Sequence, residues 1–137
     1  MTDTMALLFP YVAVTGDIAV RVAVSFLPEQ SAPSAGRWFW SYHVRVENRG
    51  TEAVQLLERS WKIVDGQGKV YQVRGEGVVG ETPLLAPGQT YDYVSGCELM
   101  TNMGSMEGHY TFAAGDGTRF DVAIPFFPLA APAATQG

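Results

Sequence analysis

Cysteine is nearly absent from this 137-residue sequence, and basic residues are few. Because Cys97 is the one cysteine, the chain can form no internal disulfide, which excludes a secreted, disulfide-stapled scaffold. Nine Lys and Arg against fourteen Asp and Glu give a net charge of −5. General nucleic-acid binders and binders of anionic membranes need a clustered basic surface, so we expect neither nucleic acid nor a membrane as a partner.

Long apolar runs are missing as well. The apolar stretch at residues 5–14 is broken by Pro10, and no Lys or Arg precedes Arg21. It therefore lacks the basic region of a signal peptide and is too short to cross a bilayer. A second run, residues 122–132, is interrupted by two prolines. We expect a soluble, cytoplasmic protein.

What the sequence does have is alternation of apolar and polar residues, within an overall apolar content of 47%. In residues 18–26 every even position is apolar, and the same period of two recurs in segments 38–46, 106–112 and 120–124. Such a pattern places one face of a strand on a core and the other in water. No window shows an equally sustained helical stripe, so the chain is predicted to be all-β.

Turn signals divide the chain into seven or eight short strands. Asp65–Gly68 and Asp116-Gly117 read as hairpin turns, since Gly and Asp tolerate the positive φ that such turns need. The apolar parity slips at Leu56-Leu57, which predicts a β-bulge. The segments 27–36 and 75–88 resemble crossovers between sheets, so we expect a sandwich of two packed sheets. The predicted boundaries are an N-terminal segment at 1–16, partly flexible, a sandwich domain at 17–129, and a flexible tail at 130–137.

The most conspicuous motif runs from Arg74 to Gly80 and contains a literal G-x-G-x-x-G at Gly75, Gly77 and Gly80. A dinucleotide-binding loop needs a helix directly after these glycines, and the prolines that follow leave no room for one. Two interpretations stay open. The glycines serve a crossover that needs positive φ, or the exposed loop amides and Arg74 form an anion-binding nest.

No catalytic or metal-binding set can be assembled from the sequence. A nucleophilic pair would need Cys97 with His43 or His109, and nothing in their spacing supports it. A lone small cysteine in a β-protein is usually packing material. Two distant histidines and scattered carboxylates match neither zinc nor calcium spacing. We therefore predict no catalytic residue, no metal and no cofactor.

The aromatic residues Trp38, Trp40, Tyr42 and Trp61 have the parity of the inner face, so they are predicted to be core rather than a stacking surface for ligands. Phe39 is the exception, because it falls on the outer face. With Ala19 and Ala23 on a neighbouring outer face, it could belong to a subunit contact, which makes a homodimer a candidate state.

An ordered set of motifs resembles the bacterial ApaG proteins over about residues 18–129; the matching stretches are 27–31, 40–42, 46–48, 54–57, 61–65, 73–81, 85–88, 93–97, 104–108 and 124–127. The resemblance implies an immunoglobulin-like or fibronectin type III-like β-sandwich of two antiparallel sheets. It maps the family's G-x-G-x-x-G onto Gly75, Gly77 and Gly80, where a phosphate or nucleotide role has been suspected. One position departs from the family: the histidine that often precedes the tryptophan is replaced by Ser60, which puts any role of that histidine in doubt here.

The resemblance also implies a function. The family has no established catalytic activity, is linked by genetics to cobalt resistance and magnesium efflux, and shares its domain with eukaryotic interaction proteins. We therefore expect a non-enzymatic module that binds an unknown protein partner through the crossover loop or an exposed sheet edge. A binder of phosphate, pyrophosphate or nucleotide through Arg74, Gly75, Gly77 and Gly80 is the alternative. Hydrolysis of phosphoanhydrides is a third hypothesis, for which no base or metal cage can be named.

Overall fold

The computed structural model of the protein describes residues 4–132. In this part of the chain the alternating segments form nine strands: β1 Tyr11–Thr15, β2 Ile18–Phe26, β3 Trp38–Asn48, β4 Val54–Asp65, β5 Val70–Glu76, β6 Leu84–Leu85, β7 Thr90–Leu99, β8 Met103–Ala114 and β9 Arg119–Ala130. The helical content is one short helix, α1 Thr4–Leu8, and the single 3-10 turns Pro28–Gln30 and Pro33–Ala35. None of these helices is long and apolar enough to span a membrane.

The strands form two antiparallel sheets. The first has the order β1-β2-β3-β7, and the second has the order β5-β4-β8-β9 with β6 beside β4. The predicted all-β sandwich is therefore confirmed. On one side of the sandwich, which we call the closed side, the amide of Ala123 in β9 donates to Oγ1 of Thr15 in β1 at 3.0 Å. On the other, the open side, the edge strands β5 and β7 face each other across a cleft.

The inner faces of both sheets supply the core, as the period-two pattern predicts. Trp40 and Tyr42 of the first sheet and Trp61 and Phe127 of the second are all buried. The ring of Tyr42 lies 5.3 Å from that of Trp61 and 6.0 Å from that of Phe127. Offset and edge contacts of this kind stabilise aromatic clusters beyond the area they bury, and they fix how the sheets stack.

One predicted crossover is wrong. Segment 27–36 joins two strands of the same sheet, since β2 pairs with β3 from Ile18↔Asn48 to Phe26↔Trp40 and the amide of Leu27 donates to Phe39 O at 2.9 Å. Turn residues look alike in a long hairpin connection and in a crossover, so composition did not separate them. Within residues 4–132 the chain passes between the sheets three times, over residues 49–53, over 86–89 between β6 and β7, and over 100–102 between β7 and β8. The second passage lies at the end of the predicted crossover 75–88.

The outer face of β2 is also less exposed than the alternation predicts. Ala19 is fully buried and Arg21 is only 9% exposed. Ala19 pairs with Val14 on one side and Glu47 on the other, so longer neighbours surround its methyl group. Arg21 lies along the sheet because its Nε donates to Glu47 at 3.1 Å. Ala19 is therefore not part of an open subunit-contact patch.

The predicted bulge in β4 is present, and it positions the functional region. The register against β8 shifts between Leu56 and Glu58. After this shift Arg59 pairs with the buried Tyr110 and lies on the inner face, while Ser60 points outward beside His109. One extra residue in the strand therefore turns an arginine toward the interior.

The predicted domain boundaries stay a prediction, although β1 lies inside the segment 1–16 and pairs with β2 over its whole length. Strand β9 runs to Ala130, the first residue of the predicted tail. The rest of that tail, from residue 133 onward, lies outside the described residues, as do residues 1–3.

Candidate functional site

The glycine-rich segment leaves β5 and folds into a tight turn. The amide of Gly77 donates to Leu57 O at 2.7 Å, and Val78 and Glu81 exchange two backbone hydrogen bonds of 2.8 and 2.9 Å. Between them Val79 and Gly80 have φ of 42° and 82°. Positive φ at both central residues is the conformation of a two-residue hairpin turn. The next described element is the strand β6, so no helix follows the glycines.

Each of the three positions of the motif requires glycine for a different structural reason. Gly80 supplies positive φ in the turn. At Gly77 φ is 66° and a Cβ would collide with the carbonyl oxygen of Glu81. Gly75 has an ordinary strand conformation, but a Cβ there would lie 2.7 Å from Nη2 of Arg59. The motif thus makes room for a sharp turn and for one guanidinium.

Three of the amides that the anion-nest hypothesis would use are already engaged, since those of Gly77, Val78 and Glu81 donate within the loop and to β4. The amides of Val79 and Gly80 donate to no backbone acceptor in the described part of the chain. A nest at this loop would therefore rest on those two amides.

Arg74 points away from Arg59, because its β4 neighbour is Ser60 on the outer face. It lines an open cavity of about 450 Å³ together with Ser60, His109 and Arg119. Arg119 is bound to Glu58 at 3.2 Å, whereas Arg74 makes no ion pair with any residue of the described range 4–132. Arg59 also lines this cavity and makes no ion pair in the same range, so Arg74 and Arg59 are the two arginines here whose charges are available to a ligand.

Arg59, on the inner face of β4, contacts the start of the crossover directly. Its Nη1 donates to the carbonyls of Glu76 and Gly77 at 3.0 and 2.9 Å, which holds the start of the crossover against β4. The signal that could have found its orientation was the parity slip at Leu56-Leu57. Because of the slip, a residue two positions beyond it lies on the face opposite to the one that unbroken alternation predicts.

The hydroxyl groups of Tyr42, Tyr93 and Tyr110 are close enough to Arg59 for its charge to affect their pKa values. The hydroxyls of Tyr93 in β7 and Tyr110 in β8 are hydrogen-bonded to each other and link the two sheets. Burial raises the pKa of both tyrosines above the ordinary value. Burial also raises the pKa of Tyr42, although a hydrogen bond with Ser95 and the charge of Arg59 oppose that shift. These groups stay neutral hydroxyl donors near neutral pH.

The structure does not bring Cys97 and the histidines together. Cys97 faces the core, and burial with the nearby charge of Glu98 raises the pKa of its thiol to about 11. His43 lies on the outer face of the first sheet, 2.8 Å from Asp92. His109 lies on the outer face of the second sheet, 3.9 Å from Asp121. Within residues 4–132 no group of three metal-ligating side chains could hold an ion.

The outward Phe39 does not stand free as a contact patch. Its ring covers Gly96, where a Cβ would collide with the ring carbon Cζ. A glycine in an outward position of β7 therefore accommodates an aromatic side chain from β3. With Ala19 buried, the predicted subunit-contact patch is reduced to the partly exposed Phe39 and Ala23.

Comparisons of sequence and of structure match this chain to the same group of proteins. The family model described as the ApaG domain matches residues 28–114. Protein ApaG of Bradyrhizobium sp. strain ORS 278 is 51% identical over 122 residues, covering 89% of this chain and 94% of its own length. Protein ApaG of Pseudomonas paraeruginosa is 52% identical over 117 residues, covering 85% and 93%. A crystal structure of the ApaA protein from Bordetella pertussis matches with a TM-score of 0.82 and 45% identity, covering 86% of this chain and 96% of that one.

Proposed function

This chain belongs to the ApaG domain family, and we propose that it is a non-enzymatic binding module that docks a protein partner on the crossover segment 75–88. The observation that carries the proposal is Val79. It stands at the tip of the turn with φ of 42° and a side chain that is 57% exposed. A β-branched residue in this conformation costs about 1–3 kcal/mol, and strain of this kind concentrates at functional sites.

The surroundings of Val79 fit a docking surface. Leu84, in the same crossover, is also largely exposed. Arg74 stands at the end of β5 with no internal ion pair among the described residues. Arg74 and Leu84 flank the same strand, since they pair with Ser60 and Gln55 of β4. Arginine and exposed apolar side chains are typical of protein interfaces. We call Arg74, Val79 and Leu84 the crossover surface.

The scattering of reactive groups supports the non-enzymatic part of the proposal. The raised pKa of the Cys97 thiol keeps it protonated near neutral pH, which disfavours nucleophilic attack. His43 and His109 lie on the outer faces of different sheets, and neither is within reach of that thiol. Hydrolysis of phosphoanhydrides would need a base and a metal held at one place. A turnover assay with pyrophosphate and nucleotides, with magnesium or cobalt added, should show no activity.

Crosslinked pull-down from lysate tests the crossover surface directly. Wild type and Arg37→Glu should recover the same partner, because Arg37 is an exposed arginine in a connection of the other sheet. Arg74→Glu and Val79→Asp should lose it. If no partner depends on the crossover surface, or if Arg37→Glu removes the partner equally, the proposal is wrong.

A second candidate function is binding of a phosphate-type anion at the same loop. The free amides of Val79 and Gly80 and the unpaired Arg74 favour it, and oriented backbone amides attract anions. Titration calorimetry with phosphate, pyrophosphate and nucleotides decides it. Heat that disappears in Arg74→Glu supports the anion site, and no heat at about 1 mM ligand, a concentration that would detect even weak affinity, removes it.

The remaining expectations belong to the same proposal. A cytoplasmic location, a homodimer, and the family's genetic link to cobalt resistance and magnesium efflux are all supported here only by sequence and resemblance. Growth on cobalt of cells that carry Arg74→Glu in place of the wild type tests whether the crossover surface takes part in cobalt resistance. If it does, these cells should grow less well than wild-type cells. Sedimentation of the purified protein measures its oligomeric state.

A further inference from the structure

Arg59 differs from every other arginine in the chain. Four arginines form ion pairs of 3.2 Å or less with carboxylates: Arg21, Arg45, Arg49 and Arg119. Two more, Arg37 and Arg74, are exposed to water. Arg59 is half-buried and has no carboxylate within ion-pair distance in the described range. Removing a charge from water without a counterion is costly, so this guanidinium is poised for an anion from outside.

The free donors of Arg59 define the shape of that anion. Its Nη1 is used on the carbonyls of Glu76 and Gly77, while Nε and Nη2 have no acceptor among the described residues. No buried side-chain nitrogen or oxygen in this range lacks a partner, so Nε and Nη2 reach open space. Together they form one edge of the guanidinium, whose two N–H bonds match the two oxygens of a carboxylate.

Arg59 borders two spaces, the cavity of about 450 Å³ that Arg74 also lines and the cleft of the open side. A cavity of about 310 Å³ lies between β4, β5 and β7, and Tyr42 and Ser95 line it together with Arg59. It shares Ile63, Val73 and Cys97 with a second cavity of about 310 Å³, whose other lining residues include Tyr71, Leu99 and Met100. The cleft therefore has a cationic, polar end and an apolar end.

We propose that this cleft binds a small amphipathic carboxylate, with its carboxyl group on Arg59 and its apolar stem along Val73 and Ile63 toward Met100. From Arg59 to Ile63 the strand covers about 13 Å at roughly 3.3 Å per residue, the span of an alkyl chain of about eight to ten carbons. Glu98 lines both cavities. Its negative charge disfavours a phosphate dianion more than a single carboxylate.

The cleft is lined by residues other than those of the crossover surface, although Arg59 also lines the cavity of about 450 Å³ that Arg74 lines. Arg74 and Arg59 point to opposite faces of the second sheet, and the turn at Val79 does not line either cavity of the cleft. The carboxylate proposal therefore adds a small-molecule ligand to the proposed binding module. Either one can fail while the other holds.

Titration calorimetry of the whole protein with octanoate tests the proposal. Octanoate should bind saturably with one site per chain, and octanamide, which has the same stem without the charge, should bind at least about tenfold more weakly. Acetate, which has no stem, should also bind at least about tenfold more weakly. No saturable binding of octanoate at about 1 mM would overturn the proposal, and so would binding of phosphate in its place.

Variants locate the site within the cleft. Arg59→Gln should weaken octanoate binding at least about tenfold, because the bidentate charged contact is lost. Since Arg59 also holds the crossover, Val73→Glu provides a second variant that places a carboxylate in the cleft and should abolish binding. Val70→Glu is its matched control on the outward face of the same exposed strand. Equal affinity in Val73→Glu and Val70→Glu, with thermal unfolding confirming that both fold, would contradict the site.

Discussion

The closed and open sides of the sandwich are both formed by edge strands, but the edges are in contact on the closed side and apart on the open side. On the closed side β1 and β9 meet through the Ala123–Thr15 hydrogen bond, and the ring of Tyr11 lies 6.0 Å from that of the buried Phe127. On the open side β5 and β7 leave a cleft in which Val73 is 41% exposed although it faces inward. Sealing two edges stabilises the fold, and leaving two edges apart opens the cleft that we propose as a ligand site.

The largest expected effect is the difference between the two sides in how much an inward-facing side chain contributes to the free energy of unfolding. Phe127 is fully buried among Tyr11, Tyr42 and Trp61. Phe127→Ala should lower the free energy of unfolding by about 3–5 kcal/mol, because it removes a large side chain and leaves a cavity. Val73→Ala should cost under about 1 kcal/mol, since water already covers much of that side chain. Urea denaturation measures both, and similar losses for the two would remove the distinction.

Glu47 gives the next largest effect, on the outer face of the first sheet. It accepts from Arg21, Arg45 and Arg49. Burial would raise the pKa of its carboxyl, but the hydrogen bonds from Arg45 and Arg49 and the charge of Arg21 outweigh it and hold the pKa below its ordinary value of 4.5. Glu47→Gln should cost about 1–3 kcal/mol at neutral pH, since Arg21 is left buried without its partner.

The pH dependence of that loss follows from the direction of the pKa shift. Because the pKa of Glu47 is lower in the folded protein, its contribution is present above the unfolded value near 4.5 and is lost as the pH falls through the folded value. The difference in unfolding free energy between wild type and Glu47→Gln should therefore shrink between about pH 6 and about pH 3. A difference that grows in acid would show that the carboxylate is not what stabilises this face.

The hydroxyl pair that links the sheets near the open side comes third. Tyr110→Phe should cost about 1–2 kcal/mol, because Tyr93 then keeps a largely buried hydroxyl without its partner. The double variant Tyr93→Phe and Tyr110→Phe should cost less than the sum of the two single variants, since no hydroxyl is then left unpaired. Strictly additive losses in chemical denaturation would mean that the two hydroxyls do not stabilise each other.

Gly75→Ala has the smallest expected effect on stability. Its new methyl group would meet the guanidinium of Arg59, the far end of a flexible side chain, so the unfolding free energy should change by under about 1 kcal/mol. Octanoate binding should nevertheless fall at least about tenfold, because the guanidinium must move. Gly115→Ala, where a Cβ would meet no atom within 4 Å, is the control. If Gly75→Ala binds octanoate as tightly as the wild type does, Gly75 has no part in the ligand site.

Much of the fold could be predicted because period-two alternation is a local property. Strand β2 begins and ends where the pattern does, and the bulge after Leu56 shows in the sequence as a broken parity. The error at residues 27–36 has a non-local cause. Whether a connection stays in its sheet depends on the partner to which the next strand bonds, and β3 bonds to β2 along its whole length.

The candidate site was predictable in part. The positive φ of Gly77 and Gly80 follows from residue type, and so does the exposure of Arg74 on an alternating strand. The role of Gly75 does not, because it depends on Arg59 lying across it from the next strand. The unpaired charge of Arg59 is equally invisible in sequence, since it is defined by which carboxylates lie close in space.

The most direct test of the open side as the ligand-binding side is a two-dimensional amide NMR titration of the whole protein with octanoate. We expect saturable shifts at Val73, Ser95 and Gly96, which line the cleft, and none at Gly16 or Ala123 on the closed side. Saturable shifts centred on β1 and β9, or none on β5 and β7, would contradict a ligand site on the open side.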